Sequence, residues 1–525
     1  MLRRLYEPMT NLILDLFNSG SVRSPNEGSV RQLGFWKTIG IVSALSAATA
    51  IVSPAQTFKS LASFDGTNGA TPYAGLVQAT DGNFWGTTYS GGTNSTDCAS
   101  GCGTAFKITP KGKVITLYSF CAQTNCTDGS QLYSGLVQAT DGNFYGTTQQ
   151  GGNNACSGGC GTVFRLTRWG RLTTLHSFDG TDGYSPNAGL LQATDGNFYG
   201  TTTQRGATTS GTVFKITPRG KLTTLYYFCS KTNCTDGADP WGGLVQGPDG
   251  NFYGTTSQGG AHICRTQGRN KIGCGTVFKI TAQGKLTTLH NFCSQANCTD
   301  GSDALAGLVQ AADGNFYGTT AEGGANTSGT VFKITAKGKL TTIYGFCSET
   351  NCTDGASPYA GLVQATDGNF YGTTRFGGAS SGGAVFKITP EGKLTTLYNF
   401  CSQTNCADGE FPQADPVQAT NGKFYGTTSG GGANASGTVF SLSAGLGPFV
   451  ETRPTSGEVG TTVIILGTNL SGATSVTFDG TSAEFKVISG SEVTAEVPNG
   501  ATTGKVKVKT PEGTLASSVA FRVTK

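Results

Sequence analysis

Charge is scarce in this chain. Only 13% of its 525 residues are Asp, Glu, Lys or Arg, and the formal net charge is +4. No basic stripe emerges, so nucleic acid is not among the expected partners. Histidine is rarer still, with three copies, which leaves little from which to build a histidine-ligated metal centre. Apolar residues nowhere recur at a helical period, which argues against helices. The one sustained apolar run, Ile39 to Val52, is too short for a comfortable membrane span. It follows Arg3, Arg4, Arg31 and Lys37 and ends in Ser53-Pro54-Ala55, the layout of an export signal occupying residues 1–56. A retained anchor is the competing reading.

What the chain has instead is repetition, with glycine at 80 positions. A marker, DGNF[YW]GTT, starts at Asp81, Asp141, Asp195, Asp249, Asp313 and Asp367, and a worn copy, NGKFYGTT, at Asn421. Each copy holds four strand-like runs, such as GLLQAT, NFYGTT, GTVFKIT and KLTTLYYF between Gly189 and Phe228. Asp-Gly separates the first two and Pro-x-Gly or Ala-x-Gly the last two, both tight turns. Four consecutive antiparallel strands make one blade of a propeller, and strands apolar on both faces must be covered on both, as stacked blades are. The ends then complement each other. Thr57 to Phe64 is a fourth-type strand without a first three, whereas the last copy stops after its third strand at Ser443. Joining them predicts an all-β, seven-bladed β-propeller over residues 57–444, closed by its N-terminal strand, with no unpaired sheet edge left over.

All sixteen cysteines fall in local pairs. Cys121/Cys126, Cys229/Cys234, Cys293/Cys298, Cys347/Cys352 and Cys401/Cys406 occupy blade-to-blade connectors; Cys98/Cys102, Cys156/Cys160 and Cys264/Cys274 occupy the long versions of the second-to-third-strand loop. Loops without a pair are shorter, so each pair is expected to staple an enlarged loop as a disulfide, in an oxidising compartment. Metal binding is the alternative, but zinc needs four converging ligands and these pairs are spread around a ring. His176 and His290 stand where other copies have Tyr and read as packing variants, and His262 lies alone in the longest loop. No metal and no cofactor is expected.

In a meander the connectors and the second-to-third loops emerge on one face and the tight turns on the other. The cysteine-bearing face, with its varied loops on a rigid support, is therefore the candidate interaction surface. Two sets of side chains there are candidate ligand contacts. Asp128, Asp182, Asp236, Asp300, Asp354 and Asp408, with Asn68, repeat at a TDG-like site, where the bland role is an Asx turn. Just before the inner strand stand Tyr73, Tyr133, Asn187, Trp241, Leu305, Tyr359 and Gln413, which vary while their surroundings barely do. Tyr73, Tyr133, Trp241 and Tyr359 could stack on sugar rings or a peptide; the bland role is to plug gaps between blades. A glutamine on every inner strand, from Gln78 to Gln418, reads as structural, bonding neighbouring blades.

After a linker at 445–449, residues 450–525 carry short Val/Ile/Phe runs with Gly turns, the pattern of a small β-sandwich. VTFDGTSAEF followed by VPNGATTGKVKV resembles the IPT/TIG immunoglobulin-like family, which implies an accessory or interaction module and not catalysis. GLVQATDGNFYGTT and GTVFKITPxGKLTTLY resemble the GloVer tandem repeat of bacterial surface or secreted proteins, which implies export and little chemistry. The chain departs from those proteins by ending in the sandwich. A propeller followed by an immunoglobulin-like domain is also the layout of galactose-oxidase-like proteins, but their copper chemistry needs more histidines than this chain has. The expectation is a secreted or cell-surface, monomeric, noncatalytic binding protein with a polysaccharide or surface-protein partner and no membrane contact once the signal is cut. A carbohydrate-active hydrolase or lyase on the same face, or a structural envelope component, are the alternatives.

Overall fold

Short β-branched and aromatic runs cut by Asp-Gly and Pro-x-Gly turns form strands and little else. A computed structural model describes residues 56–94, 98–152, 155–204, 210–267 and 270–524, so the expected export leader lies almost wholly outside the described residues. Among those described, the only helical pieces are three-residue 3₁₀ turns. The first repeat gives the pattern: Val77–Gln78, Phe84–Thr88, Thr104–Ile108 and Val114–Ser119 form a four-stranded antiparallel sheet in sequence order. Seven such sheets are present among the described residues, and the last takes its outer strand from the first described strand. Thr57–Ser63 pairs antiparallel with Thr438–Ser443, placing Thr57 opposite Ser443 and Ser63 opposite Thr438.

The marker motif is what joins one sheet to the next. Its Tyr or Trp stacks on the Phe of the following copy: Trp85 on Phe144 (3.7 Å between centroids), Tyr145 on Phe198 (4.1 Å), Tyr199 on Phe252 (4.0 Å) and Tyr371 on Phe424 (4.1 Å). Tyr425 stacks on Phe84 at 4.0 Å, so the seventh sheet packs on the first. Each such pair adds about 0.5–1.5 kcal/mol beyond the area it buries. The glycine that follows is forced by contact: a Cβ on Gly200 would lie 2.6 Å from Phe214 Cζ and 3.0 Å from Leu190 Cδ2. The first threonine reaches the next sheet, Thr255 Oγ1 donating to Ala306 O (2.7 Å) and Thr427 Oγ1 to Ala74 O (3.0 Å).

The inner-strand glutamines tie the sheets together at a second level. Thr140 N donates to Gln192 Oε1 (3.0 Å), Thr194 N to Gln246 Oε1 (3.0 Å), and Thr420 N to Gln78 Oε1 (2.9 Å) across the seam. These inner strands are two residues long in every sheet but the sixth, where Leu362–Gln364 has three. The chain there turns inward to an axis where backbones crowd, and a Cβ on Gly242 would lie 2.5 Å from the Ala306 carbonyl carbon.

The C-terminal segment forms two further sheets. Glu451–Arg453, Thr462–Leu466, Glu492–Glu496 and Phe485–Val487 make one; Ser456–Gly457, Gly513–Val523, Gly504–Thr510, Ser475–Phe478 and Thr481–Ala483 make the other. Alternate residues, among them Val463, Ile465, Val476, Phe478, Val493, Val506, Val508 and Phe521, bury a shared core. This unit sits on the face carrying the tight turns. Arg453 donates from Nη1 to Gln138 Oε1 (3.0 Å) and from Nη2 to Gln78 O (2.9 Å), and Ser491 Oγ donates to Thr80 O (2.7 Å). The uniform turns are thus partly covered, and the cysteine-bearing loops face the other way.

Candidate functional site

The rim of the cysteine-bearing face is built from repeated covalent and polar knots. All eight expected pairs are bonded as disulfides: Cys98–Cys102, Cys156–Cys160 and Cys264–Cys274 in the second-to-third loops, and Cys121–Cys126, Cys229–Cys234, Cys293–Cys298, Cys347–Cys352 and Cys401–Cys406 in the connectors. The described residues hold no free cysteine. The sulfurs of Cys264, Cys274, Cys293 and Cys298 gather within 4.8 Å of one another, but each is spent in a disulfide.

None of these cysteines lines the axial cavity on that face. Cys160, Cys234 and Cys352 show what they do instead, which is to knit loop to loop through their backbones. Cys160 is fully buried, and its carbonyl accepts from Ser185 N (3.2 Å) in the neighbouring connector. Cys234 O accepts from both Gly237 N and Gly260 N, and Cys352 O from both Gly355 N and Gly378 N, all at 2.9 Å. In each case the first donor belongs to the same connector and the second to the following second-to-third loop. The disulfides therefore staple the rim loops and hold them to one another, as the coupling of loop length and cysteine led one to expect.

Under each connector disulfide lies the TDG aspartate, and its position corrects the ligand-binding expectation. Asp128, Asp236, Asp300, Asp354 and Asp408 are 0% exposed. Asp128 Oδ2 accepts from Tyr118 Oη (2.8 Å) and Ala122 N (2.9 Å), and Oδ1 accepts from Gln123 N (3.2 Å). Nor is it an Asx turn: the carboxylate caps residues five and six positions upstream. These five therefore hold the loop from inside and offer nothing to a ligand. Asp182, in a connector without cysteine, keeps 21% of its side chain exposed and meets His176 Nε2 at 2.6 Å. His176 and His290 are more than packing variants, since each bonds an aspartate as the tyrosines do elsewhere, His290 Nε2 to Asp300 Oδ2 at 3.0 Å.

The varied column just before the inner strands behaves differently. Tyr73, Tyr133, Asn187, Trp241, Leu305, Tyr359 and Gln413 all line one axial cavity of about 830 Å³. Tyr73 and Tyr133 stack at 4.7 Å, Tyr133 meets Trp241 edge-on at 5.8 Å, and Tyr89 closes against both tyrosines. Burial, then the neighbouring Tyr73 and Tyr89, hold the Tyr133 phenol well above its ordinary value. The floor is made of glycines, except that the seventh sheet puts Asp415 there, accepting from Gly361 N. Asp415 is exposed to the cavity, and the protein packed around it pushes its carboxyl up.

Charged residues that the sequence reading passed over share the cavity. Two positions before the aromatic column stand Thr71, Gln131, Ser185, Asp239, Asp303, Ser357 and Phe411, all with left-handed backbone, φ between 50 and 59°. Burial raises both Asp239 and Asp303 to about 6, with Trp241 and Ser257 hydrogen bonds opposing in the first case and Glu322 reinforcing in the second. Gln258 Nε2 donates to Asp239 Oδ2 (3.1 Å). Arg265, on the hairpin strand Ile263–Gln267, reaches in to pair with Glu322 and, at 3.7 Å, with Asp303. Arg375 lies 4.7 Å over the Tyr359 ring and 4.9 Å from that of Phe376. Asp239 and Asp303 break the repeat symmetry at their position, but the TDG acids three residues upstream, Asp236 and Asp300, masked them.

This repeat architecture has recognisable relatives. The model described as the Gloeobacter/Verrucomicrobia repeat matches residues 92–294 and again 262–475. The chain belongs to the Gloeobacter/Verrucomicrobia repeat family. This repeat protein also carries an IPT/TIG domain, matched over residues 450–523. No curated relative matches its sequence. Among solved structures it is similar to a fungal alcohol oxidase of the AA5 family in complex with copper, at 13% identity over 89% of this chain and 99% of that one, with a TM-score of 0.49. It is also similar to a luciferin-regenerating enzyme (11% identity, 75% and 98% covered, TM-score 0.38) and to a protein of unknown function from Bacteroides thetaiotaomicron (14%, 65% and 82%, TM-score 0.33).

Proposed function

We propose that the chain is an exported binding protein: a seven-bladed β-propeller over residues 57–444, a linker at 445–449 and an immunoglobulin-like module at 450–525. It works in the secreted or surface compartment as a monomer without catalysis, holding carbohydrate in the axial cup of its disulfide-stapled face. The observation that carries this reading is the convergence of Tyr73, Tyr133, Trp241 and Tyr359 on one cavity of sugar-binding size, about 830 Å³. Aromatic faces take the apolar side of a sugar ring, and the polar groups between them take its hydroxyls. The repeat and IPT/TIG matches support a surface or binding role.

One observation favours a second reading. Asp239 and Asp303 line the same cavity with carboxyls raised to about 6, a range suited to a general acid and base in glycoside cleavage. One experiment separates the two: the full chain is incubated with immobilised glycans and envelope polysaccharides, and the supernatant is analysed for products. Retained, unchanged sugar, with retention lost in Trp241→Ala, supports the binding reading. Released oligosaccharide supports the enzyme. Absence of both retention and product contradicts a carbohydrate role altogether.

A further inference from the structure

Carboxylates outnumber guanidinium groups in the axial cup. Three carboxylates, Asp239, Asp303 and Asp415, and two guanidinium groups, Arg265 and Arg375, line it. Arg265 is already taken by Glu322 and Asp303. Asp239 receives only neutral donors, Gln258 Nε2 at 3.1 Å, the Trp241 indole and Ser257, and among the described residues no cation lies within ion-pair distance of it. A partly buried carboxylate so placed is stabilised by any cation that enters.

Asn187 adds an independent demand for a donor. It lies in the same column between Tyr133 and Trp241, is 7% exposed, and its Oδ1 has no hydrogen-bond partner. The amide cannot profitably turn over. Its Nδ2 donates to Thr203 Oγ1 (3.5 Å), and Thr203 spends its own proton on Ser185 O (3.0 Å), so a flipped amide would set two acceptors against each other. The walls meanwhile are tyrosine and tryptophan faces, which attract cations.

We propose that the cup takes an amino sugar, its protonated amine held between Asp239 and the Trp241 face and its hydroxyls donating to Asn187 Oδ1 and Asp303. This rests on the carbohydrate reading above and narrows it to one class. A uronic acid or sulfated sugar would add negative charge to a site already in surplus. Protonation of Asp239, raised to about 6, removes the attraction, so affinity falls as pH drops from about 7 to about 5; Asp303 and Asp415, whose carboxyls are also raised, share the cup with Arg265 and Arg375 and act in the same direction, while Glu322 pairs with Arg265 beside it.

The test is calorimetric titration of the full chain with hexasaccharides of glucosamine, N-acetylglucosamine, glucose and galacturonate. The glucosamine oligomer is expected to bind at least about tenfold more tightly than the others. Asp239→Asn, which keeps the side-chain shape and tolerates the left-handed backbone, is expected to abolish that preference while circular dichroism and unfolding midpoint stay unchanged. Equal or tighter binding of a neutral or acidic oligomer overturns the amino-sugar assignment and leaves the carbohydrate reading standing. So does a preference that survives Asp239→Asn, or an affinity that rises on acidification. Failure of all four oligomers to bind overturns both.

Discussion

The aspartate beneath each connector disulfide should be among the most sensitive positions in the molecule, and Asp408 illustrates why. Its Oδ2 accepts from Tyr398 Oη (2.7 Å), Ser402 Oγ (2.8 Å) and Ser402 N (3.0 Å), and its Oδ1 from Gln403 N (3.1 Å). In Asp408→Asn the hydroxyls can rotate to suit an amide, but the two backbone N–H groups cannot. One of them is left facing an NH₂ group, and the bonds that remain lose a charged acceptor. At about 1.5–3 kcal/mol for a hydrogen bond to a charged group, the substitution should destabilise the fold by about 2–4 kcal/mol, read by guanidinium unfolding at neutral pH. The pH dependence has a defined sign. Burial pushes the Asp408 carboxyl up, and the Tyr398 and Ser402 bonds more than reverse this, leaving it below its ordinary 3.8. Its stabilisation is therefore complete above the ordinary value and is lost as pH falls through the lower, folded-state value. The gap between wild type and Asp408→Asn should hold from about pH 7 to about pH 5 and shrink as pH falls below the ordinary value of 3.8. A gap under about 0.5 kcal/mol at neutral pH, or one that persists in strong acid, would refute the reasoning.

Other consequences follow from the same contacts. Gln192→Ala removes the acceptor for Thr140 N and should cost about 1–2 kcal/mol, whereas Gln310→Ala should cost less, because the matching residue of the preceding sheet is Pro248, which has no N–H to donate. Equal losses of unfolding free energy in the two variants would contradict this. Gly200→Ala would force a methyl against Phe214 and Leu190 and should lower stability by about 1–3 kcal/mol in the same assay. Arg453→Ala removes two hydrogen bonds between the C-terminal unit and the inner strands, so limited proteolysis should cut residues 445–449 faster than in wild type.

Repetition made the fold legible: a marker recurring with Asp-Gly turns dictates four-stranded sheets, and Thr57–Ser63 supplies the outer strand that the last copy lacks. The cysteine pairing was legible for the same reason, since loop length and cysteine rise together, but the carbonyl bonds of Cys160, Cys234 and Cys352 to neighbouring loops leave no trace in spacing. The aromatic column could be read because Tyr73, Tyr133, Trp241 and Tyr359 vary inside constant surroundings. The aspartates beneath the loops were misplaced because TDG is a local turn signal, while the partner that holds the Asp128 carboxylate is Tyr118, ten residues upstream on the outer strand Val114–Ser119. Asp239 and Asp303 escaped notice beside acids that recur in almost every copy. The reach of Arg265 into the axis depends on how a long hairpin folds back, which no spacing encodes. The side on which the C-terminal unit docks depends on Arg453 and Ser491 meeting inner-strand and turn backbone, again without a sequence period.

The cup exists only if the sheets close on themselves through the first strand. Hydrogen exchange of the backbone amides in Thr57–Ser63 tests this most directly, with the equivalent outer strand Leu222–Tyr227 as internal reference. A closed cycle predicts that the two strands exchange at comparable slow rates, because each is paired along its length with a third strand. Exchange of Thr57–Ser63 at the rate of an unstructured peptide, with Leu222–Tyr227 protected, would contradict it.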